Sequence, residues 1–599
     1  MAEAVYETCS SGGVLLLGCP TGSGKTLAAL VGALKAALEE DLKVVYLART
    51  KSQFQAPLRE LVKISRKLKV GVVALMSKKD LCPLLRDKPL DYEEFLRACA
   101  YLASRGLCRL KRASLEVDVK KFEDQIVSPD YLWGLGLKVV ACPYELAKRV
   151  GSRSRVIIAA YNYLFDPEIR NIFTRDLNVD LERAVIIVDE AHNLPDVLRG
   201  MFSKELRRTW VVRARAEVRE FYHLPDRDRL LASLSSLLSF MKRVGTRVGG
   251  GRLEISSDEL AAVAPSPSLL FEAARRVELQ MGGRIVPILS YTRRVGEFLK
   301  AALGAGYNFV LTVEEGGLAL RLECIRPPRR AMELFERVHA AVLMSGTMPP
   351  VDYLVATLGM EGVRGRLRSL ILSPTLSKNV KVVVVRGVTS RYVERGEQTY
   401  AKMAEAIDAL FEGLERGVAL AVFPSYDFLK GVRAFIRSQP VFVEREGTRL
   451  SELVREALSR EKLLALCVAW GKIAEGVEIT RSGRSLVRLV ILAGLPVPEP
   501  TPVNERLLSI LTAKTGDRDL AWKSVYLAPA ALRVVQAIGR SVRYEGDRAV
   551  AVILDERALD PYFLGALKAY GFKVEEADME GVRRLARALE GLLRGSQSE

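Results

Sequence analysis

The segment Gly18–Thr26, with the sequence GCPTGSGKT, constrains the fold of this chain more than any other stretch. It follows the apolar run Val14–Leu17 and opens a helical pattern. A strand, a glycine-rich turn and a helix N-terminus together present backbone N–H groups that bind phosphate. Lys25 is then expected to reach the β- and γ-phosphates of a nucleotide, and Thr26 to ligate Mg²⁺. The segment predicts a nucleotide site in an α/β fold, with contacts from Thr21, Gly22, Ser23, Gly24, Lys25 and Thr26.

A second apolar strand, Val185–Val188, ends in the sequence Asp189-Glu190-Ala191-His192. A carboxylate at the end of such a strand can hold Mg²⁺, and we assign this role to Asp189. Glu190 can orient and deprotonate the attacking water. Acidic residues after strands are usually only solvated, but a phosphate loop upstream makes the pair a strong sign of ATP hydrolysis.

A second α/β unit begins near residue 361 and carries no phosphate loop of its own. It carries instead the basic segment Gln536–Arg543. Offsets of four and three residues predict that Gln536, Arg540 and Arg543 share one face of a helix. An amide and two guanidinium groups on one face could meet a γ-phosphate across a cleft. The apolar strand Ala341–Thr347, which ends in small hydroxyl residues, is suited to a further contact with the same site.

Four of the eight cysteines lie within 61 residues, and that window contains no histidine. They are Cys82, Cys99, Cys108 and Cys142. Structural zinc usually takes paired C-x₂₋₄-C knuckles, whereas the separations here are 17, 9 and 34 residues. The spacing is compatible with an iron–sulfur cluster that has four cysteine ligands, with a zinc ion, or with unligated thiols. The other four cysteines are scattered, and we expect them to be buried free thiols.

The formal net charge of +18 and the pI near 9.5 suggest a polyanionic partner. No uncharged apolar run approaches the ~18 residues of a membrane span, and the N-terminus lacks the layout of a signal peptide. We therefore expect an intracellular, cytoplasmic protein without a disulfide framework or a membrane partner. Residues 201–305 show amphipathic helical patterns and are interpreted as a helical insertion without catalytic residues.

Taken together, these motifs resemble those of the XPD family of superfamily 2 iron–sulfur helicases, in a compact form similar to the archaeal members. The resemblance covers almost the whole chain. It rests on the segments Pro20–Thr26, Arg49–Gln53, Tyr161–Leu164, Asp189–Asn193, Ser345–Thr347, Phe423–Tyr426, Gly471–Gly476, Gly494–Pro498 and Gln536–Arg543.

The resemblance implies an α/β fold with two RecA-like helicase lobes, an inserted four-cysteine Fe–S domain and an inserted helical arch domain. We expect the first lobe in three parts, with the phosphate loop, the acidic motif and the Ser-Gly-Thr motif, followed by the second lobe. The boundaries are 1–76, 149–200 and 306–360 for the first lobe, 77–148 for the Fe–S domain, 201–305 for the arch and 361–599 for the second lobe.

The implied activity is ATP-dependent unwinding with 5′→3′ translocation on single-stranded DNA, in DNA repair. The implied cofactors are ATP, Mg²⁺ and a [4Fe–4S] cluster on the four clustered cysteines, with His192 and Gly476 among the nucleotide contacts. Single-stranded and forked DNA would pass the cluster domain and the arch, and we expect a monomer. The implied DNA contacts are Tyr144, Lys148, Arg49, Thr50 and Tyr426.

The chain departs from the family pattern at several positions. The family begins with a helix whose Arg-x-x-Gln element reads adenine, but Met1 stands only 17 residues before Gly18. If the chain starts here, adenine selectivity or ATP affinity is expected to be weakened. Glu478 replaces an aspartate, which affects the expected coupling of ATP to DNA, and lysines at 78 and 148 replace arginines. Gly18 and Cys19 replace the usual pair before Pro20, where we expect an effect on packing only.

Three alternatives remain from the sequence. The first is a DinG-like helicase, which has a related layout and also carries an iron–sulfur cluster. The second is a DNA clamp or damage-verification translocase that uses ATP for lobe closure with little unwinding, although intact Glu190, Arg540 and Arg543 argue against an inactive ATPase. The third is a redox enzyme built on the cluster, although nothing in the chain resembles a substrate or flavin site.

Overall fold

The computed structural model describes residues 1–19, 23–221, 226–249, 251–280, 290–372, 377–445, 447–471, 473, 479–481, 484–542 and 546–594. Four predicted site residues lie outside these ranges: Thr21, Gly22, Gly476 and Arg543. The departure at Glu478 lies outside them as well. None of the described helices combines the length and the apolar character needed to cross a membrane.

The strands, in chain order, are β1 Val14–Gly18, β2 Lys43–Ala48, β3 Val72–Ala74, β4 Ile126–Val127, β5 Val156–Ala160, β6 Ala184–Val188, β7 Lys204–Arg207, β8 Arg252–Glu254, β9 Phe309–Glu314, β10 Ala319–Cys324, β11 Ala340–Ser345, β12 Leu367–Ile371, β13 Val380–Val385, β14 Gly417–Phe423, β15 Val441–Val443, β16 Lys462–Val468, β17 Thr480–Arg481, β18 Arg484–Ser485, β19 Val487–Leu492, β20 Ala549–Ile553 and β21 Val574–Ala577.

The α-helices are α1 Ala2–Ser11, α2 Lys25–Glu39, α3 Gln55–Ser65, α4 Tyr92–Ser104, α5 Arg109–Ala113, α6 Pro129–Lys138, α7 Pro143–Arg153, α8 Asn162–Phe165, α9 Pro167–Asp176, α10 Leu194–Phe202, α11 Arg208–Glu220, α12 Arg227–Gly245, α13 Ser257–Ala261, α14 Pro267–Gln280, α15 Tyr291–Leu303, α16 Arg329–Met332, α17 Leu334–Arg337, α18 Val351–Leu358, α19 Glu397–Glu412, α20 Tyr426–Arg433, α21 Leu450–Ser459, α22 Pro502–Thr515, α23 Arg518–Trp522, α24 Ala528–Ile538, α25 Pro561–Ala569 and α26 Met579–Arg594.

Two parallel sheets dominate the structure, and we call the units built on them the first and the second lobe. The first sheet has eight strands in the order β12-β1-β11-β6-β2-β5-β3-β4, and the second has seven in the order β15-β16-β14-β19-β20-β13-β21. Central strands such as β1 and β6 are buried along their whole length. Their continuous apolar runs are typical of parallel strands covered on both faces. The prediction of two parallel α/β lobes is confirmed.

When the strand order of the second sheet is reversed, its seven strands correspond one by one to the first seven strands of the first sheet, both in spatial position and in chain order. By this correspondence β1 matches β13, β11 matches β20, β6 matches β19, and β2 matches β14. The carboxyl ends of parallel strands lie at one edge, where α/β folds bind ligands. The loops that follow β1, β2 and β6 in the first lobe therefore have equivalents in the second.

A third sheet lies in the insertion that the sequence interpreted as helical. It is antiparallel, in the order β7-β10-β9-β8, and packs with α11, α12, α14 and α15 around a separate apolar core. The pairing joins residues 309–324 to this insertion, whereas the sequence assigned 306–360 to the first lobe. The insertion therefore comprises residues 204–324.

The end of the first lobe also differs from the expected boundary at residue 360. Strand β12 pairs with β1, so the first sheet takes in residues up to Ile371. Both differences have one cause: strand pairing joins segments that are distant in sequence, and an apolar run does not identify its partner. The four-cysteine insertion, residues 77–148, contains α4–α6 and the start of α7, and its strand β4 returns to the first sheet.

Candidate active site

The predicted phosphate loop lies between β1 and α2, at the carboxyl edge of the first sheet. Gly24 has a φ of 78°, in the left-handed region that glycine adopts without strain, and α2 begins at the next residue. Cys19 is fully buried in the core, and its backbone N–H donates to the carbonyl of Ser345 at 2.9 Å. The side chain of Cys19 therefore packs inside the lobe, as expected.

Lys25 points from the start of α2 to the two carboxylates that follow β6. Its Nζ donates to Glu190 Oε1 at 2.7 Å and lies 3.9 Å from Asp189 Oδ1. Burial disfavours the ammonium form, but the negative charges of Glu190 and Asp189 outweigh this and raise the pKa of Lys25. The cation is thus held at the end of the loop by groups that a phosphate could replace.

The two carboxylates have opposite electrostatic environments. Burial raises the pKa of Asp189, and the nearby Lys25 ammonium only partly offsets it. Burial also acts on Glu190, but Lys25 and His192 outweigh it and hold the pKa of Glu190 well below its ordinary range. A buried carboxylate with a raised pKa is short of compensating positive charge, which fits a role for Asp189 in holding Mg²⁺.

Glu190 has a backbone conformation that is rare for a non-glycine residue. Its φ is 50° and its ψ 44°, and its N–H donates to Asp189 Oδ1 at 2.9 Å. The left-handed turn lets both carboxylates face the loop although they are adjacent in sequence. Residues held in this region cluster at functional sites.

Tyr46 joins the two predicted magnesium ligands and was not singled out by the sequence. Its hydroxyl donates to Asp189 Oδ2 at 2.8 Å and is also hydrogen-bonded to Thr26. Burial and the charge of Asp189 raise the pKa of Tyr46 well above its ordinary value, so it remains a neutral donor. In the sequence, Tyr46 differs from its neighbours in β2 by its hydroxyl group within an apolar run, and this was the signal that could have identified it.

A chain of hydrogen bonds runs from the carboxylates to the second lobe. His192 Nδ1 lies 3.3 Å from Glu190 Oε2 and 2.7 Å from Ser345 Oγ. The backbone N–H of Thr347 donates to Ser345 Oγ at 3.1 Å. Gln536 Nε2 then donates to Thr347 Oγ1 at 2.8 Å and crosses from α24 of the second lobe. The structure thereby brings Gln536 to the same site as Lys25, Asp189, Glu190 and His192.

The predicted shared helix face for Gln536 and Arg540 is wrong, because α24 ends at Ile538. The N–H of Arg540 bonds to Ala537 at i−3, and the hydroxyl of Ser541 caps the carbonyl of Ile538 at 2.7 Å. These bonds satisfy the last carbonyls of the helix and turn the chain out of it. Arg540 therefore lies in a turn after the helix, half-buried.

The four clustered cysteines surround one small cavity in the four-cysteine insertion. All are half-buried; Cys99 lies in α4, and Cys108 and Cys142 directly precede α5 and α7. Burial is the main cause of the raised pKa of Cys82, and the nearby Cys99 and Cys108 contribute. The described residues contain no group of three or more histidine, cysteine or acidic side chains arranged to hold a metal ion.

The predicted DNA contacts lie in two places. Tyr144 is half-buried beside the cysteines, with the ammonium groups of Lys78 and Lys148 at 5.8 and 5.7 Å from its ring centroid. Lys148 also pairs with Glu145 at 3.0 Å and with Asp176 at 2.6 Å. The other three follow equivalent strands: Arg49 and Thr50 follow β2, and Tyr426 lies just after β14.

Three family profiles match parts of the chain. The profile named DEAD_2 matches residues 46–211, the profile for a DEAD/DEAH box helicase matches residues 1–87, and that for a helicase C-terminal domain matches residues 411–569. The first two lie on the first lobe and the four-cysteine insertion, and the DEAD_2 match also includes residues 204–211 at the start of the insertion that follows α10. The third lies within the second lobe and includes α24 with Gln536.

Curated relatives match over nearly the full chain. The chain is 26% identical over 580 residues to the ATP-dependent DNA helicase XPD of Sulfolobus acidocaldarius. The aligned region covers 95% of this chain and 97% of that protein. It is 23% identical to the General transcription and DNA repair factor IIH helicase subunit XPD of Schizosaccharomyces pombe, over 92% of this chain and 85% of that protein.

Solved structures of XPD helicases share the fold. One matches with a TM-score of 0.70 at 23% identity and covers 96% of this chain and 98% of that chain. Another, Xpd4 of S. tokodaii, matches with a TM-score of 0.63 at 20% identity and covers 96% of this chain. At these identities the likeness concerns the architecture, which is that of the two lobes described above.

Proposed function

We propose that this chain, which is an XPD-like superfamily 2 helicase, unwinds DNA with ATP while it moves 5′→3′ along a single strand. The proposal rests on one continuous set of contacts, which runs in order through Lys25, Glu190, His192, Ser345, Thr347 and Gln536. It connects the phosphate loop of one lobe to a side chain of the other. A nucleotide held at this place can change how firmly the two lobes are joined.

In the proposed reaction Lys25 leaves Glu190 to hold the β- and γ-phosphates of ATP. Thr26 and Asp189 would hold Mg²⁺, which neutralises the charge on the phosphates. Glu190, freed from its ion pair, orients the attacking water and accepts its proton. Arg540, and Arg543 beyond the described residues, would stabilise the charge that develops on the transferred phosphoryl group.

Movement along DNA would follow from making and breaking the contact between the lobes. With ATP bound, Gln536 holds the second lobe against Thr347, and hydrolysis weakens this closed arrangement. The strand would run over the loops that follow β2 and β14, where Arg49, Thr50 and Tyr426 lie. Alternate opening and closing of two grips on one strand produces stepwise translocation.

We further propose that a [4Fe–4S] cluster is held by Cys82, Cys99, Cys108 and Cys142. Support comes from the donor set: four half-buried thiols from separate segments line one cavity. Such a cluster would cross-link these four segments, as thiolate ligands do in iron–sulfur proteins. The insertion would then be rigid enough to present Tyr144 to the strand.

Tyr144 and Lys148 are proposed to contact the strand beside this insertion. An aromatic ring flanked by ammonium groups grips single strands regardless of sequence. Lys148 is held by Glu145 and Asp176, so a DNA phosphate has to compete with these carboxylates.

We propose that the protein acts as a monomer on single-stranded and forked DNA, in DNA repair.

The test is ATP-dependent strand displacement from duplexes with a 5′ or a 3′ single-stranded tail. Displacement from the 5′-tailed duplex alone supports the proposal, including its polarity. Displacement from the 3′ tail would leave a helicase of the opposite polarity. DNA-stimulated ATP hydrolysis without displacement from either duplex would favour a clamp or damage-verification translocase.

The cluster is tested separately by Cys108→Ser, with Cys467→Ser as the matched control because Cys467 is a fully buried thiol of the second lobe. The first variant should lose bound iron and visible absorbance together with unwinding, while DNA-stimulated ATP hydrolysis continues. The control should keep both iron and colour. Full iron content in Cys108→Ser would reject this ligand set.

A further inference from the structure

Trp470 is a large aromatic residue at the carboxyl edge of the second sheet that none of the predicted contacts uses. It follows β16, and 41% of its surface is exposed. The N–H of the preceding residue, Ala469, donates to the carbonyl of Phe423 at 2.8 Å. Phe423 ends β14, so Trp470 lies beside the loop that leads to Tyr426.

The turn that carries Trp470 is held from behind by a buried carboxylate. Glu444 is 3% exposed and accepts hydrogen bonds from the N–H of Val468 at 2.9 Å and of Ile473 at 3.3 Å. Gly471 leaves the space for this carboxylate, because a Cβ there would lie 2.6 Å from its oxygens. Trp470 is therefore an exposed ring on a fixed base.

Trp470 also touches the helix that reaches the ATP site. The guanidinium of Arg533, on α24, lies 4.5 Å from the centroid of the indole ring. Arg533 Nη1 lies 3.4 Å from Gln536 Oε1 and donates to it. Gln536 in turn bonds to Thr347 of the first lobe. Three side chains thus lead from an exposed ring to the contact that joins the lobes.

We propose that Trp470 stacks on a base of the bound strand and, through Arg533 and Gln536, positions the ATP site for hydrolysis. The inference rests on the proposed function and deepens it by naming the residue that signals strand occupancy. Indole is the best partner for a guanidinium among aromatic rings, and stacking on bases tolerates any sequence. A base that packs on the indole fixes the ring, and the fixed ring fixes Arg533.

The proposal divides binding from signalling between two residues. Trp470 contacts DNA, so its loss should weaken binding and stimulation together. Arg533 acts through Gln536 and is a positioning residue, so its change should lower stimulation and leave DNA affinity near that of the wild type. Trp522 is the matched control, because it is 42% exposed, has its ring centroid 5.5 Å from that of Tyr526 and belongs to the same lobe.

The experiment measures ATP hydrolysis by the full chain against the concentration of a dT oligonucleotide, for Trp470→Ala, Trp470→Phe, Arg533→Lys and Trp522→Ala. For Trp470→Ala we expect a roughly tenfold higher half-saturating DNA concentration and a smaller ratio of stimulated to basal rate. Trp470→Phe should restore most of both. Arg533→Lys should lower only the ratio, and Trp522→Ala should match the wild type.

If DNA stimulates ATP hydrolysis by the wild type, and Trp470→Ala and Trp522→Ala have the same half-saturating DNA concentration and the same ratio of stimulated to basal rate, the inference is overturned. A wild type that DNA does not stimulate would instead count against the proposed function. Fluorescence provides a second measurement for folded protein: dT should quench the wild type and Trp522→Phe, and quench Trp470→Phe much less. Undiminished quenching in Trp470→Phe would reject stacking on Trp470.

Discussion

The loops after β1 and β13 occupy equivalent positions in the two lobes, but their charges are arranged in opposite ways. After β1, the buried cation Lys25 is held by Glu190 and Asp189, two carboxylates at the mouth of a glycine-rich turn. After β13, a buried anion is at the centre: Asp555, which follows β20 and is fully buried.

Asp555 fastens three segments of the second lobe together. Its Oδ2 accepts hydrogen bonds from the N–H and the hydroxyl of Ser390, at 3.0 and 2.7 Å, and from the N–H of Leu495 at 3.2 Å. Arg557 donates to both of its oxygens, at 2.9 and 2.7 Å. These bonds outweigh burial and lower the pKa of Asp555.

The contrast shows how one topology supports either chemistry or stability. In the first lobe the cation has partners that a phosphate can displace, so the loop can exchange ligands. In the second lobe an internal carboxylate takes the N–H groups at the strand ends, and Arg557 covers it. A charge that the protein itself neutralises completely stabilises the lobe but leaves little for a substrate to bind.

The largest effect should come from removing the exchangeable cation. Lys25→Ala is expected to lower ATP hydrolysis by ~10³-fold, because the phosphates lose the charge that stabilises the transition state. The matched variant is Lys402→Ala, which removes an exposed lysine of α19 that bonds to Gly387 in the equivalent loop of the second lobe. It should change the rate less than about twofold. A similar loss in both variants would remove the functional difference between the loops.

Asp555→Asn should have the converse effect, on stability and not on chemistry. It leaves the half-buried Arg557 guanidinium beside a neutral group and puts an amide in place of a fully buried carboxylate that also accepts hydrogen bonds from Ser390 and Leu495. A loss of about 3 kcal/mol is expected. Native-state hydrogen exchange of the amides in β13, β19 and β20 would measure this as a lower free energy of opening. Glu190→Gln is the counterpart in the first lobe.

Glu190→Gln should lower ATP hydrolysis by ~10²-fold or more while local opening changes by less than about 1 kcal/mol, because Asp189 remains as a counter-ion 3.9 Å from Lys25 and the repulsion between the two adjacent carboxylates is removed. Asp555→Asn should retain basal hydrolysis at temperatures where the second lobe is folded. If Glu190→Gln destabilised its lobe as much as Asp555→Asn, the first site would be structural as well.

The bond between the lobes should contribute less. Thr347→Val removes the hydroxyl that accepts from Gln536 and is expected to lower DNA-stimulated hydrolysis by up to about tenfold. The control is Tyr570→Phe, which removes another hydrogen bond between the lobes, from the Tyr570 hydroxyl to the carbonyl of Met348 at 3.0 Å. That variant should stay within about twofold in the same assay. An equal loss in both would mean that any contact between the lobes suffices.

The smallest effect is a difference in acid sensitivity. The folded pKa of Asp555 is lowered, so its contribution is complete above the ordinary carboxyl pKa of about 4 and is lost as pH falls through the folded value. The pKa of Asp189 is raised and that of Glu190 is lowered, so their contributions to the pH dependence of the first lobe have opposite signs.

When the pH is lowered from about 5 to about 3.5, the free energy of unfolding of the second lobe should therefore decrease in the wild type. The decrease occurs below the ordinary carboxyl pKa of about 4, where it reaches at most about 1.4 kcal/mol per pH unit. Asp555→Asn should lose less over the same range. Melting temperatures of both proteins at the two pH values provide the measurement. Parallel melting curves would show that Asp555 does not titrate in this range.

The sequence identified the strands that end in functional residues because both signals are local. An apolar run followed by a charged or glycine-rich turn predicted β1 with Lys25 and β6 with Asp189 and Glu190. The same signal is present at Asp555, which follows the apolar run 549–554, but without a phosphate loop nearby it was not singled out. Its partner Ser390 is 165 residues away, and no local pattern indicates that contact.

Long-range pairing limited the rest of the prediction. Residues 306–360 were assigned to the first lobe, because the pairing of β10 with β7, about 100 residues earlier, leaves no local signal in the sequence. The helix α24 was extended too far, because helical spacing alone does not reveal that Ser541 caps the last carbonyl. Tyr46 was missed because a single hydroxyl in an apolar strand has no meaning until Thr26 and Asp189 are placed around it.

The position of β1 in its sheet has a consequence for the synthesis of the protein. Both neighbours of β1 come late: Val14 pairs with Ala341 of β11 and with Leu367 of β12. The strand that carries the phosphate loop must therefore wait while about 350 further residues are made, roughly 20–70 s at ordinary rates of translation. During that time an apolar strand with two unpaired edges is exposed to aggregation. The risk of aggregation is therefore greatest during translation, before β11 and β12 have been made. We expect chaperones that bind the nascent chain to protect β1 in particular.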